Sequence, residues 1–500
     1  MIGLDLGTTS CKAVVLDGDG RPVASASESY PLRVPRRGWA EQDVQTIGGA
    51  AVRVLRAVAS ASPVAPIGVA LSGAMHSCLP VDADGNPLAP AMTWADNRAA
   101  ALEAPIRAEV DVPGLYARTG CPIRSTYHPV RLRWWADEAP DVARRTARYV
   151  GLKDWILHAL TGTWAIDVGM ASTTGLLDVA THTWDPDALA AARVRPGQLA
   201  PLVPSASVVG GLRRNVAAET GLPPGLPVVA GGSDGAMANL GTGISTPGHA
   251  VVTVGTSGAV RQLAARPWVD PSERTWCYVV DEDRWLIGGA INNGGLVLDW
   301  VRALQYPGLS PAAGFARLAA DAARVAAGAD GVFLLPYLTG ERSPSWTPDD
   351  PAMLYGLRLE HGRAHLARAA LEGVAHCLAD VWQALPAPSA AGEITRLTGG
   401  ITRTPLWGQI VADVLGVPLM AVEAADASAT GAALLGLRAL DRLPAGTGAP
   451  PVQPGRIHTP GPDRPVYERQ HRAFDALREQ MRLQQAALRA VAADGVADSG

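Results

Sequence analysis

The sequence predicts an α/β protein of two lobes built on one plan. Two observations carry this reading. Asp5-Leu6-Gly7-Thr8-Thr9-Ser10 is echoed about half a chain later by Val254-Gly255-Thr256-Ser257-Gly258, and each copy stands between runs of β-formers. The chain also has 500 residues and is 48% hydrophobic, enough to bury more than one core. Glycine lets backbone approach a ligand, and the N–H groups and hydroxyls of such a turn can ring an anion. Two of them suggest two phosphate-gripping lobes facing one cleft. The division expected is 1–240, 241–490 and a flexible tail at 491–500.

Taken in order, Ile2 to Leu6 and Ala13 to Leu16 read as strands around the first turn, followed by a hairpin at Asp17-Gly18-Asp19-Gly20. A helix is expected over Val44 to Ser60. The apolar run Ile67 to Leu71 reads as a buried strand ending in Ser72-Gly73-Ala74-Met75-His76, and strand ends are where open α/β sheets place ligands. Residues 86–200 read as an insertion that opens with Trp94-Ala95-Asp96-Asn97-Arg98. A Pro/Gly-rich stretch then leads into the strand Pro227 to Ala230 and the turn Gly231-Gly232-Ser233-Asp234-Gly235. The second half repeats the pattern with strands at Ala250 to Val254, Ala259 to Leu263, Arg284 to Gly288 and Ile394 to Leu397. Helices are expected near Ala364 to Leu385, Pro405 to Leu415 and Tyr467 to Ala492; in the second, Leu406, Ile410, Val411, Val414 and Leu415 share one face.

Composition excludes several classes. A net charge of −4 on 43 basic and 47 acidic residues leaves no footprint for nucleic acid or an anionic membrane. No apolar run approaches the roughly 18 residues that span a bilayer, and with a strand at the start no signal peptide is expected. Five scattered cysteines without a Cys-x-x-Cys pair fit free thiols in a reducing cytoplasm. Lys12 and Lys153 are the only lysines, and neither follows a glycine, so the P-loop pattern is absent; so are the protein-kinase motifs. Any phosphates must therefore be held by turns, hydroxyls and a metal.

These pieces together resemble the FGGY carbohydrate kinases over nearly the whole chain and in the right order. The resemblance rests on Asp5-x-Gly7-Thr8-Thr9, Met75-His76-Ser77, Trp94-x-Asp96-x-Arg98, the Gly-Gly-Ser-Asp234 turn and Gly255-Thr256-Ser257. It continues in Asn292-Asn293-Gly294-Gly295, Pro336-Tyr337-Leu338-x-Gly340-Glu341-Arg342, and Thr398-Gly399-Gly400 with Trp407-x-Gln409-x-x-Ala412-Asp413. It implies a duplicated, two-lobed actin-like (ribonuclease H-like) ATPase fold. Within the family the loops around His76, Trp94 and Asn292 look most like gluconokinases, with xylulokinases next. Two departures stand out: Arg131-Leu132-Arg133-Trp134 where the family usually carries a lysine at the first position, and Cys121 to His128 in place of a His-Pro-Met form near the sugar pocket.

Phosphoryl transfer needs a triphosphate clamp, Mg²⁺ to spread charge and a base for the attacking hydroxyl. Asp234, in a Gly-rich turn after a strand, is the candidate base and matches the family's catalytic aspartate. An aspartate at the end of a buried strand needs a cation or donors; the resemblance places Asp5 near the metal, shared with Asp234. It also implies that Gly7, Thr8, Thr9, Gly255, Thr256 and Ser257 hold phosphates. Gly295, Gly399, Gly400 and Thr404 then face the nucleotide. Met75, His76, Trp94, Asp96, Arg98, Arg124 and Tyr127 are expected around the sugar, with Arg98 first and Arg124 second as partners for a carboxylate. Asp413 is expected to be scaffold.

The reaction expected is ATP-dependent phosphorylation of the terminal hydroxyl of a sugar acid, gluconate to 6-phosphogluconate first. A xylulokinase or another pentulose or polyol kinase stays open, and so does a non-catalytic actin-like nucleotide-binding module. The partners expected are ATP, Mg²⁺ and a small sugar or sugar acid, with no nucleic acid or membrane, and a homodimer is a further expectation.

Overall fold

Ile2, Leu4 and Leu6 fall on one face of an extended chain and are all fully buried. This strand, β1 (Ile2–Leu6), is the centre of the first of two units. The computed structural model describes residues 1–387, 394–422, 426–443 and 454–497. One unit comprises Met1–Gly248, Leu263–Ile287 and Ala424–Val452; the other comprises His249–Gln262, Gly288–Glu423 and Gln453–Gly500.

In the first unit β1 pairs antiparallel with β2 (Ser10–Leu16), which pairs antiparallel with β3 (Pro22–Ser29). The helix α1 (Val44–Ala61) begins where the Asp43 carboxylate accepts the N–H groups of Gln45 and Thr46. It buries Val44, Ile47, Ala51, Val54, Leu55 and Val58, the spacing of one helical face, and stops at extended Ser62 before Pro63. β4 (Val69–Gly73) then runs parallel to β1, with Gly73 beside Leu6. The inserted region has its own core around Met92, Leu115, Val130, Leu132 and Leu176, and contributes α2 (His128–Glu138) and α3 (Leu152–Thr161).

β5 (Val208–Gly211) and β6 (Pro227–Ser233) complete a six-stranded sheet in the order β5-β6-β4-β1-β2-β3. β6 is parallel to β4, sets Ser233 beside Gly73, and feeds directly into α4 (Asp234–Gly241). The C-terminal ends of β1, β4 and β6 therefore deliver Gly7, Ala74 and Asp234 to one edge of the sheet. Both lysines are tied down in this unit. Lys153 on α3 is fully buried, 2.5 Å from Asp167, and donates to Ala230 O on β6 at 2.8 Å. Lys12 on β2 is part-exposed and pairs with Asp426 at 3.0 Å.

The second unit repeats the plan. β7 (Ala250–Val254) pairs antiparallel with β8 (Gly258–Ala264). Beyond them come β9 (Arg284–Ile291), α5 (Gly295–Gln305), α6 (Arg363–Gln383), β10 (Thr395–Gly399), α7 (Pro405–Leu415), β11 (Leu419–Val422) and β12 (Pro454–His458). In a seven-stranded sheet the strand Trp276–Asp281 borders β9, and the others run β9-β8-β7-β10-β11-β12, with β7, β10 and β11 parallel and β12 antiparallel. That is the succession β3-β2-β1-β4-β6-β5 of the first unit, so the duplication implied by the paired turns extends to the sheets. The core lies between α6, α7 and the sheet, around Val252, Leu371, Val374, Leu397, Ile410 and Val411. The last helix, α8 (Arg464–Ala497), overlaps the tail expected at 491–500, and residues 498–500 lie outside the described residues.

Candidate active site

The turn after β1 is held from three sides. Gly7 N–H closes it onto Ser10 O at 3.0 Å, and Tyr30 OH donates to Gly7 O at 2.7 Å. Gln42 Nε2 donates to Thr8 O at 2.7 Å, and Trp94 Nε1 donates to Thr8 Oγ1 at 2.9 Å. Thr9 is exposed. Asp5, at the end of β1, accepts Ser72 Oγ at 2.7 Å. Burial pushes its carboxyl up to about 7, and the like charge of Asp234 pushes the same way. Asp234 opens α4 behind the capping hydroxyl of Ser233, and its Oδ1 accepts the Gly235 N–H at 2.7 Å. A carboxylate in the first turn of a helix is favoured by the positive end of the dipole.

Three loops gather beside this edge. His76 follows β4 with φ +65°, a strained value for a residue with a side chain. Its Nδ1 lies 2.9 Å from Thr173 O. A carbonyl can only accept, so Nδ1 carries a proton. The His76 ring meets Tyr127 edge-on at 5.1 Å, and Tyr127 OH lies 2.9 Å from Tyr278 OH. Trp94 accepts Thr126 Oγ1 at its carbonyl, 3.0 Å away. Met75, beside His76, is half-buried. Met75, His76, Trp94, Tyr127 and Thr8 are thus brought to one region of the first unit.

Asp96 and Arg98 depart from expectation. The Arg98 side chain is 3% exposed and bonds Asp96 through Nε at 2.9 Å and Nη2 at 2.6 Å, and Glu41 at 2.7 Å. Its guanidinium also lies 3.5 Å over the Trp39 ring. Asp96 is buried and takes the Ala40 N–H as well. The pair is turned inward and ties the 93–98 loop to the 39–41 segment. Arg124 is different: it is part-exposed, makes a long contact of 3.5 Å to Glu103, and has a buried Nε with no partner among the described residues.

The second unit gathers the other candidates. Gly255 N–H bonds Ser257 O at 2.9 Å, and Gly295 N–H bonds Gly255 O at 2.7 Å. A Cβ on Gly295 would stand 2.7 Å from that oxygen, so only glycine allows the two turns to touch. Gly399, at φ +95°, passes so close to Val254 that a Cβ would be 2.4 Å from its carbonyl. Gly255, Thr256, Gly399 and Gly400 are exposed, and Thr404 starts α7. Glu341 knits this edge together: its Oε1 accepts Asn292 N–H and Arg342 N–H, both at 2.8 Å. Asp413 takes Gln409 Nε2 and Gly461 N–H, a scaffold contact.

Residues 1–241 match the N-terminal domain of the FGGY family of carbohydrate kinases, and residues 250–440 match its C-terminal domain. The chain belongs to this family. It is similar to the gluconokinase of Bacillus licheniformis, 36% identical over 455 residues that cover 89% of this chain and 88% of that one. Among solved structures, gluconate kinase from Lactobacillus acidophilus superposes with a TM-score of 0.89 at 27% identity, covering 96% of this chain and 97% of that one. Xylulose kinase from the same organism gives 0.90 at 27% identity, with 96% and 98% covered. The two-unit α/β architecture of this FGGY kinase is the actin-like ATPase fold, and its co-substrate by family is ATP.

Several partners in this FGGY kinase carry no local signal in sequence: Thr173, Tyr278, Glu41 and Trp39 reach the site from distant segments. Asp5 and Asp234, two carboxylates that repel one another at the edge of the sheet, are the hard oxygen donors that suit Mg²⁺. Among the described residues one group of three has metal-ligand spacing, Asp380, His471 and Asp475. There the Arg478 guanidinium already bonds both carboxylates and supplies the positive charge. No helix among the described residues is long and apolar enough to cross a membrane.

Proposed function

We propose that this carbohydrate kinase transfers the γ-phosphoryl group of ATP to the terminal hydroxyl of a sugar acid, D-gluconate foremost, giving 6-phosphogluconate. The observation that carries the acid is Arg124. It is a part-exposed arginine beside the Trp94 and Tyr127 loop, with a buried Nε that no group among the described residues satisfies, and a guanidinium matches a carboxylate bidentately. His76 would meet a sugar hydroxyl, and Trp94 and Met75 offer apolar surface to the carbon chain.

Asp234 takes the proton of the attacking hydroxyl. The new O–P bond forms as the bond from the γ-phosphorus to the bridging oxygen breaks, and ADP leaves with that electron pair. The proton on Asp234 then passes to solvent. Asp5 and Asp234 would hold Mg²⁺, which spreads the charge of the phosphates. Thr8, Thr9, Gly255, Thr256 and Ser257 would bind phosphate oxygens, and Gly295, Gly399, Gly400 and Thr404 would line the nucleotide. Five buried thiols fit a reducing cytoplasm.

The second reading is a xylulose kinase, favoured by the equal structural likeness to both kinds of enzyme. ADP release measured with gluconate, xylulose and glycerol as acceptors separates the two. The proposal expects the highest kcat/KM with gluconate and loss of turnover on chelation of Mg²⁺. A preference for xylulose gives the protein to the second reading.

A further inference from the structure

Arg131, on α2, is one of the largest fully buried side chains in the protein, 0% exposed. A buried guanidinium needs partners for its five N–H groups, and a carboxylate is the usual one. Here all four bonds go to main-chain carbonyls. Nε donates to Ser125 O at 2.9 Å and Nη1 to His76 O at 2.5 Å. Nη2 donates to Thr93 O at 2.6 Å and to Asp96 O at 3.1 Å. The opposing charge comes from Asp96, whose carboxylate is taken up by Arg98 and Ala40 N–H.

These carbonyls belong to three separate loops: the one that carries Met75 and His76, the one that carries Trp94, and the one that carries Arg124 and Tyr127. We propose that Arg131 is the positioning residue of the acceptor site, a side chain that bonds all three loops at once and so fixes them relative to one another. The inference rests on the reading of those loops as the sugar-binding face. A planar fork with donors on three nitrogens spans carbonyls arriving from different directions, whereas an ammonium offers three N–H groups from one point. Lysine at 131 has three N–H groups on one atom for carbonyls on three loops, so at least one of the four bonds is lost, although Thr93 O keeps the Asp96 N–H at 3.0 Å. The arginine is therefore a working feature of this chain. The strained backbone of His76 also finds its restraint here, since its carbonyl is pinned by Nη1 and its ring by Thr173.

The test is Arg131→Lys, with Arg131→Met beside it, in the full-length protein. Hydrogen exchange without sugar is followed in residues 74–78, 93–98 and 124–127, and steady-state kinetics are run with gluconate and with xylulose. The expected result is faster exchange in all three segments. The KM of whichever acceptor the unmodified enzyme uses should rise about tenfold, with the KM for ATP within twofold. A residue that only supports the fold would lower the active fraction and kcat while leaving the acceptor KM in place. Unchanged exchange in the three segments of Arg131→Lys, or an unchanged acceptor KM with turnover lost, overturns the proposal. No turnover of either acceptor by the unmodified protein would count against the sugar reading, and the exchange result still decides the clamp.

Discussion

The indole Nε1 of Trp94 donates to Thr8 Oγ1 at 2.9 Å, so a side chain proposed to face the sugar is tied to a hydroxyl proposed to face phosphate. An indole N–H only donates, which leaves the Thr8 hydroxyl proton directed to a different acceptor. Trp94→Phe keeps an aromatic surface and removes the donor. Leaving a polar group without its partner costs about 1–3 kcal/mol, and kcat/KM for ATP should fall about tenfold. Thr8→Val should do the same, and the double variant should be no worse than either. Additive losses in that cycle would dissolve the coupling.

Asp234→Asn retains size and the contact to Gly235 N–H but cannot take a proton at neutral pH. Turnover should fall by about 10²–10⁴, with sugar and nucleotide affinities measured by calorimetry close to those of the unmodified enzyme. Near-normal turnover would remove Asp234 from the role of base.

Arg98 and Arg124 should separate cleanly. Arg98→Ala leaves Asp96 and Glu41 facing one another in a buried position, a change that costs about 3–5 kcal/mol. It should lower the denaturation midpoint and penalise gluconate and xylulose alike. Arg124→Ala should leave the midpoint nearly unchanged and lower kcat/KM for gluconate at least tenfold more than for xylulose. Equal losses on both acceptors would show that Arg124 does not meet a carboxylate.

Local pattern explains what could be read ahead of the structure. The turns at Gly7 and Gly255 stand out because glycine and hydroxyls interrupt β-formers, and α7 forms over Pro405–Leu415 as its apolar spacing predicts. The strand Val69–Gly73 ends two residues later than Ile67 to Leu71 because Ser72 and Gly73 pair with Asp5 and Leu6. The glycines and acids of the candidate site could be named from sequence, and its contacts could not. Trp94 and Thr8 are 86 positions apart, and Tyr127 and Tyr278 are 151 apart, so no periodicity links them. Arg98 looked available because Glu41 and Trp39, which engage it, come from another segment. Arg131 carries no local signal of its role, because its four carbonyls come from three separate loops.

Glu341 makes stability depend on pH. Burial pushes its carboxyl from 4.5 up to about 7, against the pull of the Asn292 and Arg342 N–H groups. Between those values the folded protein keeps a proton that the unfolded chain has released, so stability falls as pH climbs through that window and levels off above it. The full effect is about 3 kcal/mol at about 1.4 kcal/mol per unit. Glu341→Gln keeps an acceptor oxygen and should shrink the fall in stability between pH 5 and pH 8, measured by denaturant unfolding, while the share of Asp5 and Asp380 remains. An identical slope in the variant would assign the pH dependence elsewhere.

The two lysines have a practical consequence. Lys153 is sealed against Asp167 and Ala230 O, and Lys12 is 40% exposed beside Asp426. Acylating dyes and cross-linkers that attack ε-amines thus find a single lysine on the folded protein. It lies on β2, where the cross-strand partner of Lys12 is Asp5. A reporter attached there sits on the strand that flanks the proposed metal ligand, with no cysteine or lysine to be engineered away.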